Sequence, residues 1–159
     1  MSKKEKRYIL VGDIHGCYDE FQELLAKVNF CYNSNDVVIS VGDLCDRGPA
    51  SLYTLTWFRD AKKFGYGDVV LGNHDWKLLR YLKGNKVSIH PEFQITLDQI
   101  EEFVRLLDGS ASATYFKDSL FHFLNSLDTV IEHRDFIAVH GAYKEQTESK
   151  KHAFNLNIR

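Results

Sequence analysis

The sequence predicts an α/β fold that opens on a parallel sheet, and three observations carry the prediction. Short apolar runs alternate three times with segments whose apolar residues recur at helical spacing. Each of those runs ends in a polar cluster flanked by glycine. The 44% apolar content and only two prolines in 159 residues suit one packed core and exclude a disordered or collagen-like chain.

The first run, residues 8–11, stops at Gly12, and residues 19–28 then set Phe21, Leu24, Leu25 and Val28 on one helical face. Residues 37–41 are rich in β-branched side chains and residues 42–49 read as loop. Leu52, Leu55, Phe58 and Ala61 mark a helix over 50–64, stopped by Gly65 and Gly67. A third strand is expected over 69–71 and a loop over 72–75. A helix with Trp76, Leu79 and Leu82 on one face follows, ended by Gly84. Three such units in a row imply parallel strands joined by right-handed crossovers.

Residues 96–127 then read as a helical insertion. Asp98 is expected to cap a helix bearing Ile100, Phe103, Val104 and Leu107, and Phe116, Leu120, Phe123, Leu124 and Leu127 form a second stripe. Residues 129–133 and 136–139 look like two strands about a tight turn at His133, Arg134 and Asp135, the start of a second sheet. Phe154, Leu156 and Ile158 alternate as a last strand would. No linker divides the chain, so a single domain over 1–159 is expected.

A formal charge of −2 provides no global field for gripping polyanions. No apolar run reaches the ~18 residues that span a bilayer, and no signal peptide is read at the start, so a cytoplasmic protein without a membrane partner is expected. Cys17, Cys31 and Cys45 form neither an even disulfide framework nor a C-x-x-C pair, which fits a reducing compartment.

The chemistry lies at the strand ends. Gly12-Asp13-Ile14-His15-Gly16, Gly42-Asp43-Leu44-Cys45-Asp46-Arg47-Gly48 and Gly72-Asn73-His74-Asp75 follow the three early runs in order. The carboxyl ends of parallel strands share one edge, so these clusters converge. Asp13 and His15, two apart in extended chain, would point the same way. Carboxylate, imidazole and amide donors without thiolate favour hard divalent ions. Two ions bridged by Asp43, about 3.5 to 4 Å apart, would polarise a water and clamp a phosphoryl group. Arg47 offers a planar fork to phosphate oxygens. His74 is a candidate acid for the leaving oxygen, oriented and kept charged by Asp46.

These three blocks resemble the signature of calcineurin-like metallophosphoesterases, in the branch of Ser/Thr protein phosphatases and symmetrical diadenosine tetraphosphatases. Residues 12–20, 73–84 and 140–145 are most similar to the phosphatase module of bacterial polynucleotide kinase-phosphatases. The resemblance implies a β-sandwich flanked by helices and a divalent-metal-dependent phosphatase of phosphomonoesters. It implies a first metal on Asp13, His15 and Asp43 and a second on Asp43, Asn73 and His140. Arg47 would bind phosphate, and His74 with Asp46 would form the acid pair. Manganese comes first among the implied ions, before iron, nickel, zinc and magnesium. Nucleic acid ends, phosphoproteins and dinucleoside polyphosphates are the implied substrates.

The family pattern also has a later Gly-His-Thr block, which these residues do not contain; His152 stands in Lys150-Lys151-His152-Ala153. The second metal site is therefore expected to be one ligand short and the second sheet incomplete. The alternative function is a truncated or split metal- or phosphate-binding subunit whose second sheet a partner chain completes by strand addition.

Other residues receive structural readings. Asp75 is expected to cap the following helix. Lys77, Arg80, Lys83 and Lys86 read as a solvated helix face, and Lys3, Lys4, Lys6 and Arg7 as a mobile basic lead. His90, His122, His133 and His152 are assigned no function.

Overall fold

The structure, a computed structural model, describes residues 6–32 and 34–141. The last strand expected around Phe154 to Ile158, together with Lys3, Lys4 and His152, lies outside the described residues.

Strands β1 (Arg7–Val11), β2 (Asp36–Ser40) and β3 (Gly67–Val69) form a parallel sheet in the order β1-β2-β3. Helices α1 (Tyr18–Lys27) and α2 (Ser51–Phe64) are the crossovers. Their side chains share one core with α3 (Asn73–Leu82), α4 (Pro91–Leu106) and α5 (Ser110–Asn125). Because β2 is buried along its whole length, its side chains alternate between two cores. Val38 joins Phe58, Leu55 and Phe21 on the helical side, whereas Val37 and Ile39 join Val70 and Ala138 on the other.

That second side is closed by an antiparallel hairpin of β4 (Val130–Glu132) and β5 (Ile137–Val139). It is tied to the first sheet where Leu71 N–H donates to Asp128 O at 2.8 Å, and Tyr8 packs on His133 and Phe136. Sheet, hairpin and helices on one flank make a mixed α/β fold, as expected.

Several boundaries differ from expectation for identifiable reasons. β3 begins at Gly67, read as a stop, because a Cβ there would lie 2.7 Å from the Ala61 Cβ; only glycine lets the strand run this close to α2. The insertion starts at Pro91, not near 96. Pro91 occupies the first turn, where no amide is needed, so Asp98 is inside α4 and accepts from Gln94 Nε2 at 2.7 Å instead of capping. Arg7 is not part of a mobile lead. Its guanidinium grips Asp36 at 2.9 and 2.6 Å and donates to Val28 O and Asn29 O, fastening both strands to the end of α1. All three cysteines are unpaired, and no described helix is long and apolar enough to cross a membrane.

Candidate active site

The carboxyl edge of the parallel sheet brings Asp13, His15, Asp43, Asp46, Asn73 and His74 together, and β5 delivers His140 to the same place. The local backbone is not the extended chain expected at Asp13 and His15. His15 has φ +48°, Asp43 +53°, Asp46 +69° and Arg47 +67°, all in the left-handed region. Non-glycine residues pay for that conformation and hold it only where surrounding bonds over-determine it. Such bonds are present: His15 N–H donates to Asp43 O at 2.8 Å and Gly48 N–H to His15 O at 2.8 Å.

Asn73 and His74 also lie elsewhere than expected, in the first turn of α3 rather than in a preceding loop. Asp43 explains the early start. Its Oδ1 accepts the His74 N–H at 2.9 Å, supplying the helix cap from another strand end. Gly72 must be glycine, since a Cβ would fall on the Asp43 nitrogen and Oδ1. With Oδ1 engaged, Asp43 Oδ2 stands 3.6 Å from His15 Nε2 and 3.5 Å from His140 Nε2.

Both imidazoles are oriented by backbone. His15 Nδ1 lies 2.9 Å from Cys45 O and His140 Nδ1 lies 2.9 Å from Val41 O, so a proton on each Nδ1 leaves Nε2 as a lone pair. His15 Nε2 is buried without a hydrogen-bond partner among the described residues. His140 Nε2 is 2.9 Å from Asn73 Oδ1, so lone pairs from nitrogen, amide oxygen and Asp43 Oδ2 face one another. Such a cluster calls for a cation or a second ring proton. Asp13, half-exposed, adds a donor oxygen 4.0 Å from His15 Nε2, and its other oxygen lies 3.9 Å from the protonated His140 Nδ1. Donors about 2.0 to 2.2 Å from one ion stand roughly 3 to 4 Å apart, and these spacings fit. Two groups of donor atoms lie within 4.8 Å of one another: Asp13, Asp43 and His140, and His15, Asp43 and His74.

His74 has a different commitment. Its Nδ1 is 2.7 Å from Asp46 Oδ2, and its ring stands edge-on to His15 with centroids 4.8 Å apart. The Asp46 bond holds the His74 pKa above its ordinary value against the opposing effect of partial burial, with help from the Asp43 charge. Asp46 is itself fixed, because Thr96 Oγ1 donates to its Oδ1 at 2.7 Å and its N–H donates to Ser51 Oγ at 3.0 Å. Arg47 is exposed at the rim, with Nε 3.6 Å from Glu92 Oε2.

Thr96 and Asp75 are site residues that the sequence reading does not assign. Thr96 is fully buried, and the available signal is a polar residue on the apolar stripe of Phe93, Leu97 and Ile100. Asp75 does cap its helix, accepting from Gly72 N–H at 3.2 Å, but it also accepts from Asp43 N–H at 2.8 Å and Leu44 N–H at 2.9 Å. Burial, then the Asp43 charge, pushes its pKa up to about 6.

The profile of the calcineurin-like phosphoesterase family matches residues 6–158. A bis(5′-nucleosyl)-tetraphosphatase PrpE (asymmetrical) of Bacillus subtilis (strain 168) is 33% identical over 137 residues, covering 79% of this chain and 56% of the relative. A symmetrical bis(5′-nucleosyl)-tetraphosphatase of Vibrio campbellii is 37% identical over 136 residues, covering 82% and 42%. A crystal structure provisionally assigned as a diadenosine tetraphosphatase superposes with a TM-score of 0.61 at 27% identity, over 92% of this chain and 55% of that one. The chain thus spans about half the length of these relatives.

Proposed function

Because the chain belongs to the calcineurin-like phosphoesterase family, we propose that it is a divalent-metal-dependent phosphoesterase, with dinucleoside polyphosphates as its natural substrate class. One observation carries the reading: Asp43 Oδ2 sits between two Nε2 atoms whose rings are held, by Cys45 O and Val41 O, with lone pairs turned inward. The relatives' names move dinucleoside polyphosphates ahead of nucleic acid ends and phosphoproteins. Residues 1–159 would form a single domain, in a reducing cytoplasmic setting that suits three unpaired cysteines.

Asp13, His15 and Asp43 would hold one ion and Asp43, Asn73 and His140 the other, with manganese chosen for the hard oxygen and imidazole donors. When bound, the ions supply positive charge that lowers the pKa of water and polarises a phosphoryl group. The protein's own part is positional. Asp43 keeps Oδ2 at the centre because His74 N–H occupies Oδ1. Arg47 presents its fork to phosphate oxygens from the rim. His74 donates from Nε2 to the leaving oxygen, while its Nδ1–H stays on Asp46 and stabilises the charged ring.

The test is hydrolysis of diadenosine tetraphosphate and p-nitrophenyl phosphate by the purified chain with added manganese, beside Asp43→Asn and His74→Ala. Turnover should require the metal and fall by about 10² or more in either variant. Bound manganese without turnover would overturn the enzyme reading and favour a metal- or phosphate-binding subunit.

A further inference from the structure

A cleft of about 390 Å³ opens beside His74, lined by Asp46, Lys77, His90, Pro91, Glu92 and Phe93. Its walls are the N-terminal parts of α3 and α4 and the loop that carries Asp46. The volume falls in the range of small-ligand sites. Lys77 is three residues after His74 and four after Asn73, which puts all three on one side of α3.

The charges in this cleft are not equally available. Asp46 is bound to His74 at 2.7 Å, and Glu92 faces Arg47 at 3.6 Å. Lys77 has no carboxylate partner among the described residues; its Nζ lies over the Phe93 ring, 4.5 Å from the centroid. A ring face holds an ammonium in place without neutralising it. Of the basic residues Lys77, Arg80, Lys83 and Lys86, on and just after this helix, only Lys77 lines the cleft.

We propose that Lys77 determines specificity by receiving the phosphate next to the reacting one, on the leaving-group side. His74 protonates the leaving oxygen, so whatever that oxygen carries extends into the cleft that opens at His74. A second phosphate there meets the unpaired ammonium, whereas a simple monoester leaves it unused. This inference rests on the phosphoesterase reading of the site and deepens it toward substrates with a phosphate chain.

Calorimetric titration of imidodiphosphate and of orthophosphate, with the same excess of manganese in every arm, tests it without turnover. The affinity ratio of imidodiphosphate to orthophosphate should fall about tenfold in Lys77→Gln and return in Lys77→Arg, with thermal unfolding showing that both variants fold. A ratio unchanged in Lys77→Gln, because both affinities fall together or neither moves, would overturn the proposal. If wild type hydrolyses neither diadenosine tetraphosphate nor p-nitrophenyl phosphate yet the ratio shifts as stated, the enzyme reading fails while the lysine subsite stands.

Discussion

Asp75 and Asp43 brace each other across two strand ends. Asp75 Oδ2 accepts the Asp43 N–H at 2.8 Å, and Asp43 Oδ1 accepts the N–H of His74, the neighbour of Asp75, at 2.9 Å. The residue at the centre of the donor cluster is therefore held through its backbone by one carboxylate and through its side chain by a helix terminus. Its left-handed φ of +53° is a consequence of satisfying both.

Asp75→Asn should accordingly be costly despite its near-identical shape. One oxygen becomes an NH2 group, so either the Leu44 N–H or the Asp43 and Gly72 N–H groups lose their acceptor and face a donor in a buried site. The expected loss is about 2 to 4 kcal/mol in urea unfolding, accompanied by weaker manganese binding. Wild-type stability would show that the bracing contributes nothing.

In the proposed reaction Thr96 would act through Asp46 rather than on substrate, as a positioning residue. Thr96→Val keeps the volume and removes the 2.7 Å bond to Asp46 Oδ1. Turnover should fall about tenfold for phenyl phosphate, whose leaving group needs a proton, and less for p-nitrophenyl phosphate. Equal losses on both esters would assign Thr96 a purely structural role.

Acid stability should depend on Asp36. The Arg7 guanidinium beside it holds its carboxyl down to about 2, below the ordinary 3.8. A depressed folded pKa contributes stability that is present above the unfolded value and lost as pH falls, here between about pH 4 and pH 2. Asp36→Asn should be less stable at neutral pH and show a flatter thermal midpoint across that window. A variant with the wild-type acid profile would contradict the assignment.

The sequence carried the β-α rhythm and the convergence of Asp13, His15, Asp43, Asn73 and His74, because both depend on spacings that survive any detail of packing. It did not carry the turns that aim them. Glycines are natural candidates for sharp backbone, yet His15, Asp43, Asp46 and Arg47 also adopt left-handed φ, enforced by hydrogen bonds between the loops that follow β1 and β2. For the same reason α3 begins at Asn73: its cap is a side chain from the β2 loop, invisible to a local reading of Gly72 and Asp75. Thr96 reaches Asp46 across 50 positions, and only the burial of α4 makes that contact. Pro91 is a local signal for the other boundary: a first-turn proline sets the start of α4 and with it one wall of the Lys77 cleft.

If Asp43 joins two ions as proposed, manganese titration followed by electron paramagnetic resonance should read it out. Two ions per wild-type chain with an exchange-coupled spectrum are predicted, and Asp43→Asn should lose the coupling together with affinity at both sites. Isolated single-ion signals in wild type, or binding undiminished by Asp43→Asn, would contradict it.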